Sequence, residues 1–156
     1  MANDKTNVMR ILDQKKINYS DYSYDPNETN GEKVAILLNE NPDFVFKTLV
    51  TVSNNNNHFV FIIPVNKELD LKKSAKVVNC KSIEMIKQKD LLPLTGYIHG
   101  GCSPIGMKKL FSTFIDISAK DKEYIFVSGG RVGRQIKINP KDLCEIVGAS
   151  FSDLVK

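Results

Sequence analysis

The segment TGYIHGGCSPIGMKK, Thr95 to Lys109, concentrates residue types that let a backbone do chemistry. Gly100 and Gly101 can adopt conformations closed to other residues and approach a ligand closely. Successive N–H groups can then point at one spot, a nest suited to a carbonyl oxygen that becomes negative. Ser103-Pro104 follows as a cap and first-turn pair, which would add further N–H donors and a hydroxyl. Taken alone, Gly-Gly is equally the mark of a tight structural turn.

A second glycine loop, SGGRVGR from Ser128 to Arg134, directly follows the run YIFV. Small residues at a strand end, flanked by cations, suit phosphate; a hairpin turn would use the same residues. Lys47 is the third feature. In FVFKTLV it sits within a strand, on the face shared with Val45 and Leu49. A lysine on such an apolar face either snorkels to water at an edge or serves a ligand anion or ester oxygen. Cys102 invites a nucleophile reading, yet no histidine or carboxylate pattern near it would lower its thiol pKa, although a helix start could. Packing or pocket lining is the preferred role, and the adjacent His99 reads as a surface or wall residue.

No Ser/His/Asp or Cys/His set is visible, and neither a P-loop nor a GxGxxG after a strand occurs. The three cysteines (Cys80, Cys102, Cys144) are scattered, and His58 and His99 form no ligand cluster, so neither a disulfide framework nor a metal site is expected. No apolar run approaches the ~20 residues of a membrane span, and the charged N-terminus lacks the apolar centre of a signal peptide. A cytoplasmic protein without membrane contact is expected. The net charge of +4 is modest, but residues 97–141 carry eight basic side chains against three acidic ones. That excess suits a polyanion or, more blandly, a solvated face.

The elements that must position these residues follow from pattern. Val8, Ile11, Leu12 and Lys15 have helical spacing after a cap at Asn3 or Asp4. Ile17 to Tyr24 reads as a strand, Asp25 to Gly31 as a loop, and Val34 to Leu38 as a short helix closed by Asn41-Pro42. Phe44 to Val52 and His58 to Val65 flank an Asn tract and predict a hairpin. Leu69 to Val78 predicts a helix, Ser82 to Ile86 a short strand, and Ile86 to Leu92 a helical turn ending before Pro93. Phe114 to Ile117 and Tyr124 to Val127 are further strands. The clearest helix is NPKDLCEIVG, with Asn139 as cap, Pro140 in the first turn, Cys144 packed within and Gly148 just past the end. The sum is a mixed α/β domain around a curved sheet.

Together these pieces resemble the YbaK/EbsC family of freestanding bacterial editing proteins, similar to the editing domain inserted in bacterial prolyl-tRNA synthetases. The carriers are YDPNET (Tyr24 to Thr29), FVFKTL (Phe44 to Leu49), PVNKELDLKK (Pro64 to Lys73), TGYIHGGCSPIGMKK and VSGGRVGRQI (Val127 to Ile136), in the family's order. The match runs nearly end to end, through the terminal SFSDLVK, and looks most like the Cys-tRNA(Pro) deacylase branch.

The resemblance implies one YbaK-like domain over residues 1–156, an α/β (α+β) fold with a mixed, barrel-like curved sheet and short surrounding helices, and no cofactor or metal. It implies a trans-editing deacylase that cleaves the ester of mischarged Cys-tRNA(Pro), with Cys-tRNA(Cys) as a further candidate. The substrate's own thiol would attack its carbonyl, releasing a thiolactone, while backbone groups stabilise the oxyanion. The partners would be the aminoacylated tRNA 3′ end and prolyl-tRNA synthetase. Residue by residue, it makes Lys47 the lysine that contacts the terminal adenosine or its phosphate, and Gly100 and Gly101 the backbone that holds the reacting carbonyl. Tyr22 would line the pocket, Thr48 and Ser103 would be its small polar residues, and Ser128 and Gly129 its second loop. Two departures stand out: Cys102 replaces an expected aliphatic residue, and Gln135 an often acidic one, so Gln135 receives no catalytic role. A deacylase for Ala-tRNA(Pro) or another small amino acid is the same-fold alternative, since pocket size sets that choice. An inactive tRNA- or synthetase-binding module is the different-class alternative, and intact Lys47 and Gly100-Gly101 argue against it. A small-molecule esterase would require a protein nucleophile.

Overall fold

The computed structural model describes residues 4–156. Helix α1 spans Asn7–Gln14 and turns Val8, Met9 and Leu12 into the core. Its cap is Thr6, whose hydroxyl accepts the Met9 amide, and not Asp4; Asn3 lies outside the described residues. Strand β1 (Tyr19–Ser23) follows, and α2 (Gly31–Leu37) starts three residues earlier than its apolar spacing suggests, because Asn30 caps the Lys33 amide. Pro42–Phe44 is a 3-10 turn, capped by Asn41.

The expected hairpin is β2 (Phe46–Ser53) with β3 (His58–Pro64), paired from Phe46↔Pro64 to Val52↔His58 around the Asn tip. Helix α3 (Leu71–Val77) is capped by Asp70, and β4 is Ile83–Met85. Helix α4 (Gln88–Thr95) runs through Pro93 and does not stop before it, at the cost of the rung a Pro93 amide would have made. It ends at Gly96, whose left-handed φ of 85° allows its amide to close on Leu92. No helix starts at Ser103-Pro104; the Ser103 hydroxyl instead accepts the Ile105 amide inside a bend. Strands β5 (Ser112–Asp116), β6 (Ile125–Ser128) and β7 (Arg134–Ile138) precede α5 (Pro140–Val147) and β8 (Ser150–Ser152).

Two sheets result, β1-β7-β6 and β4-β2-β3-β5-β8. β3, β5 and β8 run parallel, whereas the other pairs are antiparallel. The bridge Val45↔Phe126 joins the sheets at the start of β2. No ladder among the described residues closes them into a complete barrel. The mixed α/β class stands, with its curvature shared between two sheets. The main core packs α1 and α5 against Val60, Ile62, Ile115, Val127 and Ile136. The C-terminus docks through the Asp70 amide to the Leu154 carbonyl and the Leu154 amide to buried Asp116. No helix among the described residues is long and apolar enough to cross a membrane.

Candidate active site

β4 covers β2 only at Thr51–Ser53, so the outer edge of β2 from Phe46 to Leu49 takes no strand. A cavity of about 360 Å3 lies there, bordered by Lys47 and Thr48 on β2, Tyr24 and Thr29 of the YDPNET segment, Gly100 and Cys102, and Ser128 and Gln135. Two consecutive strand residues can border one cavity because it lies against the strand's edge and not against either face. Lys47 is half-buried, and its ammonium makes no ion pair or hydrogen bond among the described residues. It is the one lysine or arginine on the cavity, and the lining contains no carboxylate.

Four buried side-chain polar atoms have no hydrogen-bond partner among the described residues, and three belong to residues that line this cavity: Tyr24 Oη, Thr48 Oγ1 and Gln135 Oε1. An orphaned buried polar atom costs roughly 1–3 kcal/mol. Three at one place suit a site whose hydrogen bonds a polar ligand or water completes.

The two glycine loops meet behind the cavity. A Cβ on Gly101 would lie 2.9 Å from the Val132 nitrogen and 3.1 Å from the Arg131 carbonyl carbon. Only glycine lets these backbones touch. Gly100 has φ 86° and abuts the Thr29 side chain, tying in the DPNET loop as well. The Gly101 amide donates to the Ile98 carbonyl at 3.0 Å, whereas Gly100 and Cys102 border the cavity and their amides take no backbone acceptor among the described residues. The amides on either side of Gly101 are therefore unclaimed by the backbone among the described residues.

The other anticipated residues divide. Ser128 lines the cavity, with its hydroxyl accepting the Gly130 amide at 3.2 Å. Gly129 does not line it; its amide closes the loop on the Arg134 carbonyl. Ser103 is fully buried within its bend and off the cavity. Tyr22 packs edge-on against Phe126, ring centroids 5.2 Å apart, behind the wall that Val45 and Val65 form. Tyr24, two residues on, takes the lining position instead. Tyr24 and Gln135 are the residues that sequence reasoning missed. The signal was present in the alternation of RQIKI, which marks β7 and turns Gln135 away from the main core that holds Ile136.

Cys102 borders the cavity but is a poor nucleophile. Burial pushes its thiol up to about 12, only partly offset by a hydrogen bond with Thr95. At neutral pH the reactive thiolate is essentially absent. For the deacylation of charged tRNA that the resemblance implies, Cys102→Ser is expected to stay within threefold of the parent, measured as loss of labelled amino acid; a drop beyond tenfold would make the thiol a nucleophile. His99 is exposed on the cavity rim and Cys144 packs against the core. Among the described residues, no group of three or more His, Cys, Asp or Glu side chains could hold a metal ion.

A family model described as an aminoacyl-tRNA editing domain matches residues 25–146. EbsC of Enterococcus faecalis, named as a proposed Cys-tRNA(Pro)/Cys-tRNA(Cys) deacylase, is 43% identical over 152 residues, covering 96% of this chain and 93% of that one. Among solved structures, the hypothetical protein APE2540 superposes with a TM-score of 0.89 at 19% identity, over 97% of this chain and 100% of that one. A proposed trans-editing enzyme for prolyl-tRNA synthetase superposes with a TM-score of 0.84, also at 19% identity, over 98% and 99% of the two chains. At that identity both speak for the fold alone.

Proposed function

The chain belongs to the aminoacyl-tRNA editing domain family, and from that premise we propose that it is a trans-editing deacylase of Cys-tRNA(Pro) and Cys-tRNA(Cys). The observation that carries this reading is the edge cavity, with Lys47 as its one lysine or arginine and three orphaned oxygens on its walls. A charged 3′ end offers what that cavity lacks: phosphate and ribose for the lysine, and an aminoacyl ester and amine for the oxygens.

The reaction needs no protein nucleophile. The substrate thiolate attacks its own carbonyl carbon, forming a C–S bond and a tetrahedral oxyanion held by the amides of Gly100 and Cys102. Collapse breaks the C–O ester bond; the ribose oxygen takes a proton from water, which balances the one the thiol gave up to solvent, and cysteine departs as a four-membered thiolactone that water later opens. Lys47 holds the terminal nucleotide and lowers the charge on the departing oxygen. Gly101 contributes by spacing the two loops. Residues 1–156 act as one editing domain in the cytoplasm, with prolyl-tRNA synthetase as the source of the mischarged tRNA.

The test is purified protein with tRNA(Pro) charged with cysteine, alanine, serine or proline, following the acylated fraction. Cysteine should be released, and serine at least about a hundredfold more slowly, because a hydroxyl is a far weaker internal nucleophile at neutral pH. Release of alanine or serine as fast as cysteine would exclude thiol assistance, and no release of any would end the enzyme reading.

A further inference from the structure

The fourth orphaned polar atom lies outside the cavity just described. Arg134 is only 6% exposed, yet its Nε has no acceptor and its Nη2 reaches nothing better than the Met9 sulfur at 3.6 Å. It forms no ion pair among the described residues. A buried guanidinium without a counter-ion is costly. Arg134 lines a second cavity, about 290 Å3, with exposed Arg131, Val132, Gly133, Ser23, Pro26 and Tyr24. Tyr24 borders both cavities, so they are neighbours.

We propose that this second cavity is a phosphate subsite, in which Arg131 and Arg134 hold a backbone phosphodiester of the substrate RNA just upstream of its terminal nucleotide. The proposal rests on the editing function above, which places that terminal nucleotide in the neighbouring cavity. Two guanidinium groups suit phosphate, since their planar forks can bind its oxygens in pairs. Pro26 and Val132 on its wall offer an apolar surface beside the phosphate. The anion would supply the missing partner of Arg134.

The test is the affinity of an uncharged RNA hairpin with a single-stranded CCA tail, measured by fluorescence anisotropy across a salt series. This readout is independent of deacylation. Arg131→Gln and Arg134→Met are each expected to weaken binding about tenfold or more, the scale of one charge-assisted contact. Each should also make the slope of log affinity against log salt shallower, and the two together by about 0.7, the value for one phosphate contact on a single strand. Arg134→Met should raise the thermal midpoint of the free protein, because it removes an unpaired buried charge; exposed Arg131→Gln covers the case in which Arg134→Met disturbs the fold. Inorganic phosphate at matched ionic strength should compete no better than chloride. Wild-type affinity and salt slope in both variants would overturn the subsite, as would weaker binding with an unchanged slope or full displacement by free phosphate. Failure of the parent to release cysteine would instead overturn the editing function.

Discussion

Lys47→Ala is expected to lower the rate of cysteine release from tRNA(Pro) by about a hundredfold or more, the usual cost of deleting a preorganised electrostatic contact in a site of this kind. The fold should not notice. The Lys47 ammonium makes no hydrogen bond or ion pair among the described residues, so its removal strands no partner. What is lost is the stem's packing beside Ile63 and Leu49, which Lys47→Met restores. Both variants should therefore share the kinetic defect, while Lys47→Met keeps the parental melting temperature. Lys47→Arg keeps the charge but replaces a compact point donor with a wider planar fork, and partial rescue at best is expected. Single-turnover deacylation with circular dichroism melts on all three variants makes the comparison; a fully active Lys47→Ala would move the site away from the β2 edge.

Gly101→Ala is the second large effect, and its cause is steric. The added methyl would meet the backbone of Arg131 and Val132, and backbone cannot rotate aside as a side-chain tip can. One loop must retreat. That costs about 1–3 kcal/mol in overpacking, or a melting temperature lower by about 2–4 °C for each kcal/mol in a chain of this size. Activity should fall more than tenfold, because the displaced loops carry the Gly100 and Cys102 amides and the Ser128 wall. Gly100→Ala differs in kind: its methyl would meet the Thr29 side chain at 2.7 Å, so Thr29→Ala should recover part of its loss. The same second substitution should do nothing for Gly101→Ala. Parental stability and activity in Gly101→Ala would show that the two glycine loops are not locked together.

Local signals carried much of this architecture into the sequence. The Asn tip between two β-rich runs, the Asn139–Pro140 start and Gly148 end of α5, and Lys47 within its strand all depend on neighbours a few residues away. What depended on distant partners was harder to see. β7 has only two apolar residues, Ile136 and Ile138, and gains its strand character from β1 and β6 on its two sides. Without β7, the Gln135 side chain has no assigned direction, and Tyr22 and Tyr24 are indistinguishable aromatic residues two positions apart. The Tyr24 amide bonds to the Gly133 carbonyl just as the β1–β7 ladder ends, which turns Tyr24 to the cavity and leaves Tyr22 on Phe126. Helix α4 passes Pro93 for a similar reason: Thr95 bonds back to the Leu91 carbonyl and the Gly96 turn closes the end, outweighing one lost rung.

The pairing of β1 with β7 also bears on how the protein is made. Asp21 lies opposite Ile136, so the smaller sheet cannot assemble until residues up to Ile138 have left the ribosome. Such long-range closure is slow relative to the helices and the β2–β3 hairpin, which form from contiguous sequence. Until it happens, Ser128 and Gln135 are not in place and the cavity lacks a wall. A product terminated early would thus present the bare edge of β1. It would be a fragment prone to aggregate and to be degraded, and not a half-built esterase stripping correctly charged tRNA.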